Sequence, residues 1–205
     1  MTERRSPVQV RCYRSKSWIK RAKVLPEDDL DGKFIYYWIA FNSLYGQPKY
    51  LSHKKGPEEI DFERFLALVC ESDQKHRITE ILETLKWPII GLIEDHYLND
   101  DCWVGWYERE LETLSERNKH VFRGKRQRDN ISELFSRIYV LRKQLFHGCS
   151  SDKGRKNRES LGRAVAVLEK LIPVFEEIID QSSNDNRLTK FLKDLPYPPT
   201  VGGVG

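Results

Sequence analysis

Cysteine is scarce in this 205-residue chain and scattered: Cys12, Cys70, Cys102 and Cys149 are widely spaced, with no Cys-x-x-Cys. That spacing argues against a disulfide framework and a thiolate zinc site, and predicts reduced, partly buried thiols of a cytoplasmic protein. Long apolar runs are missing too. No stretch approaches the roughly 20 apolar residues that a membrane span requires, so no membrane partner is expected. The first residues, Met-Thr-Glu-Arg-Arg-Ser-Pro, lack the apolar core and small-residue cleavage site of a secretory signal. We find no internal repeat, no Gly-rich phosphate loop and no period-two alternation bounded by turns. Histidine is sparse, at five residues, and His76, His96 and His120 have no second His or Cys at ligand spacing. Neither a metal nor another cofactor is expected.

Charge is plentiful and unevenly placed. Residues 1–25 hold eight Lys and Arg against one acid, and residues 119–163 hold thirteen against four, whereas residues 26–118 hold ten against twenty. Two basic blocks around an acidic one suggest either attraction to a polyanion such as nucleic acid, or oppositely charged faces that meet in the fold or in a dimer.

Apolar residues recur with the helical period throughout, so the expected class is all-α: a single-domain bundle of about six to seven helices over residues 8–195. A flexible N-terminus (1–7) and a flexible Pro/Gly-rich tail (196–205) are expected to flank it. The first helix is expected from Val8 to Leu25, ending before Pro26. The second, about Lys33 to Tyr45, is apolar around most of its circumference and should be the central buried helix. Helices carrying Phe62, Phe65, Leu66 and Val69, and then Ile78, Ile81, Leu82 and Leu85, come next, with a break at Trp87-Pro88. Another helix is expected from about Trp106 to Arg123. Asn130 with Glu133 reads as a capping box opening a helix with the face Ile131, Leu134, Phe135, Ile138, Leu141 and Leu145, which ends at Gly148. The last long helix, about Glu159 to Gln181, spaces Leu161, Val165, Leu168, Ile172, Phe175 and Ile179 as a bundle seam, with Pro173 expected to bend it.

Most candidate chemical groups have ordinary explanations. Carboxylate pairs such as Glu58-Glu59 and Asp100-Asp101 read as turn and helix-start residues. His147 differs, because it sits at the end of an amphipathic helix five residues after Arg142. An arginine and a histidine together can cleave a phosphodiester without metal: the guanidinium binds two phosphate oxygens and offsets the developing charge, while the imidazole exchanges the proton. In RNA the nucleophile would be the substrate's own 2′-hydroxyl. Five residues at about 100° each leave the two side chains roughly 140° apart around a helix. They converge only if the helix unwinds at Phe146-His147-Gly148 or if a second copy completes the site. The basic segments Arg123, Lys125, Arg126, Arg128 and Lys153, Arg155, Lys156, Arg158 flank this helix and suit a phosphate backbone.

The segment Leu141-Arg142-Lys143-Gln144-Leu145-Phe146-His147-Gly148, on a late helix of an all-α chain, resembles the Arg-x4-His motif of the HEPN superfamily. Trp38-Ile39-Ala40-Phe41-Asn42-Ser43-Leu44-Tyr45 resembles the Trp-x-Ala-Phe-Asn-x-Leu-Tyr helix of its Apea-like branch. The two motifs cover two helices directly, and the helix order extends the likeness over residues 8–181. The resemblance implies a metal-independent endoribonuclease that homodimerises into one composite site, with Arg142 binding the scissile phosphate and His147 acting as acid/base or phosphate-positioning group. It also implies a toxin or phage-defence role with an antitoxin or other regulatory protein as partner. Two positions depart from the pattern. Lys143 replaces a small polar residue, and while it can bind phosphate it cannot accept a hydrogen bond to orient the histidine. Cys149 stands where some toxin members carry a modifiable tyrosine. Asn42, a polar amide on an apolar helix, needs a partner if buried, and orienting His147 is one use for it. The alternative expectation is a catalytically inactive module of the same fold that binds RNA or protein; a helical interaction subunit without a nucleic-acid role is the third.

Overall fold

Helix starts are written into the chain chemistry. In the computed structural model, which describes residues 5–51, 58–99, 127–149, 151–182 and 185–195, Ser6 and Gln9 form a reciprocal capping box around Pro7, so helix α1 runs Pro7–Lys23. Asp29 caps α2 (Leu30–Tyr45) through the Gly32 N–H at 2.9 Å. The acids Glu58, Glu59 and Asp61 occupy the first turn of α3 (Glu58–Ser72), where the helix dipole favours negative charge. Then come α4 (Arg77–Thr84), α5 (Lys86–Ile93), α6 (Gln127–Phe146), α7 (Arg158–Gln181) and α8 (Asn186–Leu192). Short 3-10 turns cover Pro48–Leu51 and His96–Leu98. Among the described residues there is no strand, and the architecture is a single-domain all-α bundle.

Helix α7 is the hub, packing against α1 through α6. Its seam residues Leu161, Val165, Leu168, Ile172, Phe175 and Ile179 are all buried. The central place expected for α2 is therefore shared. Helix α2 lies between α1, α3, α6 and α7 and contributes Phe34, Tyr37, Trp38, Phe41 and Tyr45 to the aromatic centre of the core. No helix among the described residues is long and apolar enough to cross a membrane. No disulfide joins Cys12, Cys70 or Cys149.

Three expectations shift. The break expected at Trp87-Pro88 falls one turn earlier, between Thr84 and Lys86, with Pro88 in the first turn of α5. A proline ring clashes with the carbonyl four residues before it, here Thr84, and its missing N–H costs nothing in a first turn. Helix α6 starts upstream at Gln127, so Asn130 lies inside it, and Glu133 pairs with Arg137 at 2.6 Å. Helix α7 continues through Pro173. Helix α8 was not anticipated; Asp185 caps it, and Leu188, Phe191 and Leu192 bury its inner face. The helix expected at residues 106–123 and the tail from residue 196 lie outside the described residues.

Candidate functional site

Helix α6 buries Ile131, Leu134, Phe135, Ile138 and Leu141, which sets Arg142 at the margin of the core with its side chain 23% exposed. Its guanidinium lies 4.8 Å from the centre of the Phe146 ring and 5.7 Å from that of Tyr139. Nη2 is 3.9 Å from Glu58 Oε2.

Glu58, the first residue of α3, is the junction of the site. Its Oε1 accepts a 2.7 Å hydrogen bond from the Tyr45 hydroxyl and its Oε2 a 3.5 Å bond from the Tyr139 hydroxyl. The Tyr45 hydroxyl is also 2.6 Å from the Asn42 amide. A phenol has one proton, so if it is given to Glu58, the Asn42 amide must present its NH2 group to the phenol oxygen. Burial, reinforced by the neighbouring Glu58 carboxylate, pushes the Tyr139 phenol well above its ordinary range and keeps it a donor. The network Asn42, Tyr45, Glu58, Tyr139 and Arg142 thus joins the two sequence motifs through a residue that belongs to neither. Asn42 serves Tyr45 here, not His147.

His147 closes α6. Its N–H still donates to the Lys143 carbonyl at 3.0 Å, and then Gly148 turns left-handed at φ 70°. Gly148 N–H reaches the Leu145 carbonyl at 3.2 Å and Cys149 N–H the Gln144 carbonyl at 2.9 Å, the paired bonds of a Schellman ending. His147, Gly148 and Cys149 are exposed. The helix therefore unwinds where the sequence suggested, yet among the described residues no hydrogen bond links His147 to Arg142. Lys143 holds its ammonium 5.1 Å from the Tyr139 ring centre. Beside it, buried Gln144 donates to the Tyr97 carbonyl at 2.6 Å and accepts from Asn157, tying the following loop to the helix end. Phe146, the neighbour of His147, leaves 48% of its surface exposed.

The basic loop is partly neutralised. Lys153 pairs with Asp28 at 3.2 Å and Arg158 with Asp31 at 2.8 Å, both acids lying at the start of α2. Arg155 and Lys156 remain exposed. The other basic segment, with Arg123, Lys125, Arg126 and the side chain of Arg128, lies outside the described residues.

Sequence reasoning missed Glu58, whose only signal was its helix-start position, and Tyr139, which reads as one more apolar-face residue. It also missed Arg11, which is fully buried and donates to the carbonyls of Leu44, Gly46, Leu192 and Asp194, crossing the ends of α2 and α8. Among the described residues no three His, Cys, Asp or Glu side chains gather as a metal site requires. A polar cleft of about 470 Å³, lined by Glu71, Asp73, Lys75, Arg77, Gln181 and Asp185, sits at the other end of α7, roughly 30 Å from the loop that precedes it.

No family model, curated protein or solved structure matches the chain.

Proposed function

We propose that this chain is a metal-independent endoribonuclease of HEPN type, acting as a homodimer whose two α6 ends form one composite site. The observation that carries this reading is the contrast between the two candidate groups. Arg142 is anchored by Glu58, Tyr139 and Phe146 with its side chain 23% exposed, and His147 stands exposed on a helix ending built by the glycine that follows it. About 140° of helix separates them on one chain, so a partner across a two-fold axis supplies the opposing set. Arg142 then holds the scissile phosphate. The substrate 2′-oxygen attacks phosphorus as His147 takes its proton, and the bond to the 5′-oxygen breaks as that oxygen is protonated. The products are a 2′,3′-cyclic phosphate and a 5′-hydroxyl. Such an activity fits a toxin or phage-defence effector held in check by a regulatory protein, acting on cytoplasmic RNA.

One observation favours the second reading, an inactive RNA- or protein-binding module: Glu58 already partners Arg142, and Lys143 cannot accept a bond from the histidine. The test is incubation of the chain with mixed-sequence RNA in excess EDTA. The nuclease reading expects fragments ending in 2′,3′-cyclic phosphate, and intact RNA under conditions where it is bound would contradict it.

A further inference from the structure

Residues 1–25 carry eight cationic side chains against one acid, and the composite site gives that block no task. The fold sorts it by burial. Arg11 is consumed inside the protein by backbone carbonyls. Lys16, Lys20 and Lys23, by contrast, are exposed and fall within about 60° of one another around α1. Arg5, ahead of the helix, and Arg21, about 100–160° around it from the lysines, are exposed as well; none of the five is within ion-pair distance of a described carboxylate, although Lys16 and Lys23 act on the Glu176 carboxylate from further off. The loop at 151–158 differs, because two of its cations are held by Asp28 and Asp31. Exposed positive charge at Lys16, Lys20 and Lys23 is thus gathered on one side of α1, a helix the sequence left unassigned.

Of the exposed rings on α1, Tyr13 falls within about 80° of the three lysines, whereas Trp18 lies about 140–160° away around the helix. Tyr13 is 50% exposed with the Arg5 guanidinium 4.2 Å from its ring centre. Trp18 is 37% exposed and stacks on Tyr36 with centroids 5.6 Å apart and planes 17° apart, and Arg21 lies 5.6 Å from the Tyr36 ring. Cations that follow a backbone, set beside a ring on which a base can stack, are what a single-stranded nucleic acid requires. A bilayer surface is disfavoured, because the apolar side of α1 (Val10, Ile19 and Ala22) is already buried and the exposed Tyr13, Trp18 and Val24 do not form one contiguous apolar stripe to insert.

We propose that the outer face of α1 is a binding surface for single-stranded RNA, distinct from the end of α6. Lys16, Lys20 and Lys23 contact successive phosphates, and Tyr13, on the same side of the helix, stacks a base. The surface does not depend on the nuclease reading, since it would hold RNA whether or not the chain cuts it.

The test is fluorescence anisotropy of the full chain with a labelled 2′-O-methyl RNA of about 20 nucleotides, which has no 2′-hydroxyl to attack, across about 50 to 200 mM salt. Replacing all three lysines (K16A/K20A/K23A) should weaken binding roughly tenfold or more and lower the slope of log affinity against log salt by about 2. Tyr13→Ala should weaken binding severalfold at an unchanged slope, since stacking carries no counterion release; unchanged affinity would overturn the stacking role. All of these side chains are exposed, and an unchanged melting temperature verifies folding. An unchanged slope in the triple variant overturns the proposal, as does failure of the parent to bind RNA. So does loss of affinity for phosphatidylserine vesicles without loss of affinity for RNA. If Arg142→Ala abolishes binding while the lysine variant does not, the α1 surface falls and the α6 site stands. If the lysine variant loses binding and the parent never cuts RNA, the α1 surface stands and the nuclease reading falls.

Discussion

A fully buried arginine needs its five donors met, and Arg11 meets them with backbone carbonyls at the C-terminal ends of two helices, where the dipole favours a cation. Arg11→Ala leaves those carbonyls buried without a donor, so urea unfolding should show a loss of roughly 3 kcal/mol, and Arg11→Lys should recover only part of it because an ammonium lacks the planar fork. Glu176 is the opposite case. Burial between α1 and α7 raises its carboxyl above the ordinary value of 4.5, with the Ser15 hydroxyl and Lys16 ammonium pulling the other way. The same environment pushes the Cys12 thiol up to about 11, by burial first and the Glu176 charge second. The folded state therefore binds the Glu176 proton more tightly than the unfolded chain. Its contribution is complete below the ordinary carboxylate range and is lost as pH rises through the raised folded value. Glu176→Gln should accordingly stabilise the protein at neutral pH, with the gain fading toward pH 4, and parallel pH–stability curves for parent and variant would contradict this. Neither residue was legible in the sequence. Arg11 reads as one of eight cations in a basic block, and only the return of α8, whose end it joins to that of α2, against α1 and α3 makes it internal.

At the scale of elements, local chemistry was readable where one residue decides the outcome. Gly148 was expected to end its helix, and it does so at φ 70° with nothing within 4 Å of where a Cβ would stand. Gly148→Ala should therefore cost about 1 kcal/mol through backbone strain alone, with no steric clash. A thermal melt unchanged within error would show that the turn relaxes instead. The seams of α6 and α7 were readable for the same reason, because a period of 3.6 over some twenty residues is hard to mimic. Boundaries set by competing signals were not. A capping box at Asn130 and Glu133 was outweighed by helix continuing upstream, and Pro88 moved its break to Thr84 because the clash acts four residues back. The Asn42–Tyr45–Glu58 network lay beyond reach because Glu58 arrives across a loop whose path no local spacing encodes.

For the whole molecule, the sequence displayed an acidic block between two basic ones, and the fold resolves that pattern into two uses. Asp28 and Asp31 at the start of α2 neutralise Lys153 and Arg158 beside the α6 end, while Lys16, Lys20 and Lys23 of α1 are exposed on one side of that helix. A dimer that joins two α6 ends would bring Arg142 and His147 of one copy toward those of the other. The most direct measurement is cleavage of mixed-sequence RNA in EDTA by the parent, Arg142→Ala and His147→Ala, purified identically, with binding recorded in parallel. The account predicts that the parent cuts and that both variants still bind but cut at least about a hundredfold more slowly, the scale expected when an acid/base or charge-stabilising group is removed. Equal cutting by all three, or binding without cutting by the parent, would contradict it.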